Sequence, residues 1–218
     1  MLRNVDINEI SDGKKYSIHD MARLGCRDCE GCHKCCGNMG DTIVLDPYDV
    51  FRITEGTGMD FNTLIMTAAK LTVVDNIVLP VLNLGNGNCH FLDENGRCRI
   101  HPFRPGICRL FPLGRLFENN THSYFLQKDE CTAVNRTKVR IDKGIGEKDI
   151  AGYEKYTDAW HYFVRHVGEA VAGIEDEQEV RRVSMLVLNE LYLKPYDRDL
   201  DFFKQFYDRK EYIRDSIE

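Results

Sequence analysis

The sequence predicts an α+β fold, with a small cysteine-rich region of short helices, strands and turns followed by a C-terminal bundle of about three helices. Three observations lead there. All nine cysteines lie between Cys26 and Cys131. The same stretch holds most of the glycines and the short apolar runs, whereas beyond it apolar residues recur at steps of three and four, the period of an amphipathic helix. The regime changes at Lys143-Gly144-Ile145-Gly146, which divides the chain into a region 1–143 that carries every cysteine and a helical region 144–218 expected to pack on it.

In the first region Thr42 to Leu45 is a short apolar run. Asp46-Pro47 then supplies an N-cap followed by proline at the first helical position, which predicts a helix over Tyr48 to Glu55, ended by Gly56 and Gly58. A second helix is expected to start from Asp60 or Asn62 and to cover Leu64 to Ala69. Leu71 to Leu84, rich in Val, Ile and Leu, reads as one or two strands. His90 to Ile100 reads as a hairpin turning at Asn95-Gly96, an arrangement that brings Cys89 and Cys98 together. Three prolines between His101 and Pro112 forbid a long regular helix there and fix a turn-rich path through Cys108. Tyr124 to Leu126 suggests a strand running up to Cys131.

The second region reads as three helices. Ile150, Tyr153, Tyr156, Trp160, Phe163, Val164 and Val167 form one apolar stripe, with Asp149 in the first turn. Glu175 to Leu193 continues the pattern through Val180, Val183, Leu186, Val187, Leu191 and Leu193 and stops at Pro195. Asp199 to Ile217 repeats it through Phe202, Phe203, Phe206, Tyr207, Tyr212 and Ile213. These stripes are core. They are expected to cover the cysteine region or a protein partner, and they carry no chemistry of their own.

The chemistry lies in the cysteines. Cys26, Cys29, Cys32, Cys35 and Cys36 read C-x2-C-x2-C-x2-C-C, and Cys89, Cys98, Cys108 and Cys131 follow. Three-residue steps let neighbouring sulfurs curl around one centre, and thiolates are firm ligands of zinc and of iron–sulfur clusters. Cysteines also pack as small hydrophobes, but Arg27, Asp28, Glu30, His33 and Lys34 between these ones belong on a surface loop. Disulfides fit poorly with an odd count and an N-terminus lacking a secretory pattern. A reducing cytoplasm is therefore the expected compartment, where clustered cysteines signal metal or redox chemistry. No segment reaches transmembrane length. A net charge of −6 argues against a nucleic-acid or membrane-surface footprint, although Arg97, Arg99, Arg104, Arg109 and Arg115 make one local basic region.

Cys29-x2-Cys32-x2-Cys35-Cys36, then Cys89-x-Phe91-Leu92, Cys98-x-Ile100-His101-Pro102 and Arg104-Pro105-x2-Cys108-Arg109-x-Phe111-Pro112, resembles the YkgJ-type CxxCxxCC cysteine-cluster family. The resemblance spans about residues 26 to 131. It implies a small bacterial or archaeal protein that chelates zinc or iron, in older descriptions an iron–sulfur oxidoreductase. A similar cysteine pattern occurs in flagellin lysine-N-methylase, which implies an iron–sulfur cluster. Cys26 lies outside the shared four-cysteine signature, and the helical tail lies outside all of these motifs.

Nine thiols exceed the four that tetrahedral zinc needs; they match eight ligands for two four-coordinate centres with one left over, or one cluster plus one zinc. Adjacent Cys35 and Cys36 point apart unless the chain folds sharply at Gly37, so they suit different centres. So many sulfurs favour an iron–sulfur cluster over structural zinc in a chain long enough to build a core. His101 and His33 are weaker nitrogen candidates. Arg104 and Arg109 read equally well as solvated or carboxylate-paired residues and as donors that balance thiolate charge.

Three function classes remain open. One is a binding module, a metal or iron–sulfur protein in electron transfer, metal handling or sensing. Another is an enzyme, either an iron–sulfur oxidoreductase or a protein resembling S-adenosylmethionine-dependent methyltransferases, but no dinucleotide loop, P-loop or CxxxCxxC motif is legible. The last is a zinc-stapled protein that works through a partner. The first is the preferred reading.

Overall fold

The computed structural model describes residues 6–25, 33–37, 42–85, 87–131, 133 and 135–217. Within them the chain forms α1 (Ile7–Ile10), β1 (Met21–Gly25), α2 (Pro47–Thr57), α3 (Phe61–Thr67), β2 (Ala69–Val74), β3 (Ile77–Leu82), α4 (Gly106–Leu110), β4 (Leu113–Glu118), β5 (Thr121–Leu126), β6 (Thr137–Arg140) and α5 (Ile141–Ile145). The helices α6 (Ile150–Ala172), α7 (Glu177–Leu188) and α8 (Phe202–Ile217) follow. The strands make three separate antiparallel pairs, β1–β6, β2–β3 and β4–β5. The fold is α+β, with small strand pairs first and a helical C-terminal region after them, as the sequence predicts.

The first three helices start where a side chain satisfies a free amide. Asp46 caps α2 by accepting from Asp49 N at 2.7 Å, and Asp49 accepts in return from Asp46 N at 3.2 Å. The helix runs through Gly56 and ends at Gly58, whose φ of 74° is the left-handed conformation that suits glycine. Gly56 has a different role from the terminator the sequence suggests: a Cβ there would lie 2.2 Å from the Phe103 ring. Asp60 caps α3, accepting from Thr63 N at 2.7 Å, which settles the choice between Asp60 and Asn62. The apolar run from residue 71 splits into two strands because Asp75 and Asn76 turn the chain with φ of 48° and 69°.

The core joins the two regions. It runs from Ala22 through β3 to Ile213 of α8 as one cluster of buried residues. Helices α6 and α7 pack on β3, and the π-helical turn Asn189–Leu193 that extends α7 packs on α2 and α3. Of the predicted α6 stripe, Tyr153, Tyr156, Phe163, Val164 and Val167 are buried. The predicted α8 stripe holds at Phe202, Phe206 and Ile213, but Tyr212 points outward. Arg209 takes a buried place on α8 instead. Its guanidinium donates to the carbonyls of Glu190, Lys194 and Pro195 and lies 3.8 Å from the Tyr196 ring centroid. It thereby satisfies acceptors left free where the π-helical turn ends.

Two charged groups fasten the helical region to the strand and loop region. Glu147, in the link before α6, accepts from Arg52 of α2, from Arg109 of α4 and from Tyr48 Oη. Its side chain is 6% exposed and that of Arg109 5%, so each charge depends on the other for its solvation. Removing one partner of a buried pair leaves the other stranded. Glu147→Ala should therefore lower stability by about 3–5 kcal/mol in urea unfolding, whereas Glu169→Ala, which deletes an exposed pair with Arg165, should cost about 0.5 kcal/mol or less.

His122 of β5 lies 2.6 Å from Asp158 and 3.3 Å from Glu154, both on α6, and Tyr124 Oη donates to Glu154. Burial alone would raise the Glu154 carboxyl, but the hydrogen bonds from His122 and Tyr124 and the nearby His122 and Arg115 charges outweigh it and hold the group below 4.5. A carboxyl depressed by folding stabilises the fold fully above its unfolded value and loses that contribution as pH falls through the folded one. Glu154→Gln should be less stable than the unmodified chain at neutral pH. The gap should close as the pH is taken below 4.5, and urea midpoints that stay equally far apart across that range would refute the assignment.

Candidate metal centre

Five of the six described cysteines reach one neighbourhood along four separate segments. Cys35 and Cys36 sit in a 3₁₀ turn, Lys34–Cys36, closed by Cys36 N donating to His33 O at 2.9 Å. Gly37 pairs with Asn88, and Cys89 N donates to Cys36 O at 2.8 Å, which sets the second segment against the first. Cys98 pairs with Leu92 across a loop in which Asp93 Oδ1 accepts from Asn95 N at 2.9 Å and Arg97 N at 2.8 Å. The expected hairpin is thus a tight loop with a single bridging pair, and Leu92, not Cys89, stands opposite Cys98. Cys108 lies on α4.

Helix α4 begins after Pro105, which has no side chain able to cap it. The missing acceptor comes from elsewhere: Asp49 Oδ1 of α2 accepts from Gly106 N at 2.7 Å. A Cβ at Gly106 would lie 2.5 Å from Tyr153 Oη, so only glycine lets the loop sit this close to α6. Asp49 escaped the sequence reading, although its place three residues after the capping Asp46 is a capping-box signal. Glu147 was missed too, and nothing in the sequence marks it.

Five thiols influence one another. Cys36 donates to Cys35, which lowers Cys35; the same bond, then burial and the charges of Cys35, Cys108 and Cys89, raises Cys36. The pair gives up its first proton more readily than an isolated thiol and its second less readily. Burial pushes the Cys108 thiol up, aided by Asp49, Cys89, Cys35 and Cys98. Cys89 and Cys98 are raised chiefly by burial, but each accepts a backbone amide from two residues ahead, Phe91 and Ile100 respectively, and this favours the thiolate. Repeated N–H donation to sulfur is how protein backbones tune metal-bound cysteines.

Positive charge arrives from Arg104 and Arg99. Arg104 lowers both Cys35 and Cys98, and Arg99 lowers Cys89 and Cys98. Arg109 faces the other way, donating to Glu147 and lying 5.2 Å from the Tyr153 ring centroid. Of the two arginines proposed to balance thiolate charge, the structure gives that position to Arg104. His101 opens a 3₁₀ turn, with its N–H on Cys98 O at 3.2 Å, and His33 is exposed.

Cys131 is a free thiol that does not figure among the charges shifting these five. Cys26, Cys29 and Cys32 lie outside the described residues. Among the described residues no three Cys, His, Asp or Glu side chains form a ready set for one ion. In donor chemistry the cluster nevertheless fits a soft cation, since crowded thiols that resist joint deprotonation gain most from a positive ion between them.

A family profile described as "CxxCxxCC: Putative zinc- or iron-chelating domain" matches residues 28–137. The chain belongs to this CxxCxxCC family. The match takes in every cysteine except Cys26 and ends on the first residue of β6. No curated protein and no solved structure matches the chain. Zinc or iron chelation is thus the activity the family assigns, and thiolate donors suit either metal. Among the described residues no helix is long and apolar enough to cross a membrane.

If Arg104 stabilises the thiolates, Arg104→Ala should weaken metal retention about tenfold, as loss of a supporting charge does, and Arg104→Lys should restore most of it. Competition with a chromophoric chelator measures both, and equal retention in the alanine variant would remove Arg104 from the centre.

Proposed function

We infer that this CxxCxxCC protein is a metal-binding module that holds an iron–sulfur cluster, and with it a second four-coordinate centre, through Cys35, Cys36, Cys89, Cys98 and Cys108, together with Cys26, Cys29 and Cys32. Its role is electron transfer, metal handling or sensing. The observation that carries this reading is the gathering of five thiols from four segments, three of them accepting backbone amides. The region 1–143 bears the metal chemistry and the helices from 144 support it. The six described cysteines are free thiols, which supports a reducing compartment, the cytoplasm.

When bound, the metal would supply either redox capacity as a cluster or a rigid four-coordinate staple as zinc. The chain's own part is to present thiolates at a fixed spacing, offset their charge with Arg104 and Arg99, and orient Cys89 and Cys98 through the Phe91 and Ile100 amides.

Protein purified without oxygen should be brown, absorb broadly in the visible and contain iron matched by sulfide. Cys98→Ser and Cys108→Ser should lose the colour, while Cys131→Ser should keep most of it. A colourless protein with stoichiometric zinc would replace the cluster with a structural ion, and a protein without either metal would overturn the reading.

A further inference from the structure

A groove of about 310 Å³ opens at the surface beside the thiol cluster. Cys89 lines it, with Leu92, Asp93, Glu94 and Gly96 from the loop that leads to Cys98, and with His33 from the opposite segment. The two walls touch where glycine permits it: a Cβ on Gly96, whose φ is 70°, would lie 2.5 Å from His33 Nδ1. No other described cysteine lines this groove. Cys89 therefore belongs both to the mutually interacting thiols and to a wall that solvent reaches.

We propose that the groove is the port through which metal enters and leaves the centre, with Cys89 as the exchange ligand that meets an incoming divalent ion or a competing chelator first. The inference rests on the metal-binding reading above. Its chemistry follows from the lining. Glu94 and Asp93 place carboxylate charge at the mouth, which attracts a hydrated cation without binding it firmly. His33, also exposed, and half-buried Cys89 are softer donors on the same lining, to which the ion passes as water is displaced. Asp93 keeps its shape because one carboxylate oxygen holds the loop amides of Asn95 and Arg97. Transfer of this kind is ligand exchange: each new metal–donor bond replaces one to water or chelator, each bound thiol gives its proton to solvent, and nothing is oxidised.

The test uses the full chain loaded with zinc alone and follows release to a chromophoric chelator after bound zinc has been counted. Leu92→Trp narrows the groove and Glu94→Trp covers its mouth, while Leu200→Trp adds equal bulk at an exposed site after α7. The two groove variants should bind as much zinc as the unmodified chain and release it about tenfold more slowly, a change within the range of on- and off-rates that single substitutions produce. Leu200→Trp should release it at the unmodified rate. In the opposite direction, Glu94→Lys should slow zinc uptake at low salt and lose that effect as salt is added. Unchanged release in both groove variants with full zinc content would overturn the port. An unmodified chain that retains neither zinc nor iron would instead overturn the metal-binding reading beneath it.

Discussion

A carboxylate is tolerated inside a protein only where donors surround it, and the donors around Asp49 are the ones that position the cysteine loop. One oxygen accepts from Asp46 N and closes the capping box of α2, and the other accepts from Gly106 N at the start of α4. Burial and the neighbouring Asp46 charge both push the Asp49 carboxyl up, and the Gly106 amide and Arg109 act against them. Two residues beyond Gly106 stands Cys108, and the next residue is Arg109, held by Glu147. The Cys108 segment is thus held on one side by Asp49 of α2 and on the other by the Arg109–Glu147 pair. A loop containing three prolines has few backbone donors of its own, and this arrangement gives it a defined place without regular structure.

What the sequence reveals and what it conceals divide along physical lines. Local signals were readable: Asp46-Pro47 announces one helix start and Asp60 or Asn62 another, because an N-cap acts within three residues, and the α6 stripe follows from helical period alone. The strands β1 and β6 were not, because Met21–Gly25 and Thr137–Arg140 pair across more than a hundred residues and only Ala22 among them is buried. Their short, half-exposed segments give no alternation to detect. The strand β4 was hidden for a related reason. It carries Gly114, over which the Phe125 ring lies, and Arg115, whose guanidinium sits 5.5 Å from the Tyr153 ring centroid and 5.9 Å from that of Tyr124. Those residues read as a loop until the tyrosines that cover them are known.

The candidate site shows the same division. Residue type and spacing identified thiolate chemistry, and they singled out Cys89 and Cys98 as neighbours. They did not supply the register that sets Cys98 against Leu92, nor the separation of Arg104 from Arg109. Arg104 precedes α4 and bears on the thiols of Cys35 and Cys98, whereas Arg109, within α4 and next to Cys108, faces Glu147. Partners of that kind are chosen by tertiary packing, which no local pattern encodes.

The shared core bears on what the sulfurs are for. In small zinc domains the ion supplies much of the folding free energy because too little apolar surface is buried without it. Here a continuous cluster of buried residues links Ala22 of β1 to Ile213 of α8 and takes in α2, α3, β2, β3 and the long helices. Such a chain builds its interior mainly from aliphatic and aromatic residues, with Cys89, Cys98 and Cys108 packed against the edge of it. A structural staple confined to that edge would need four ligands. The five thiols gathered there, with three more a few residues upstream in the sequence, exceed it. The cysteines of the segment that the family profile matches thus outnumber the ligands of one tetrahedral zinc.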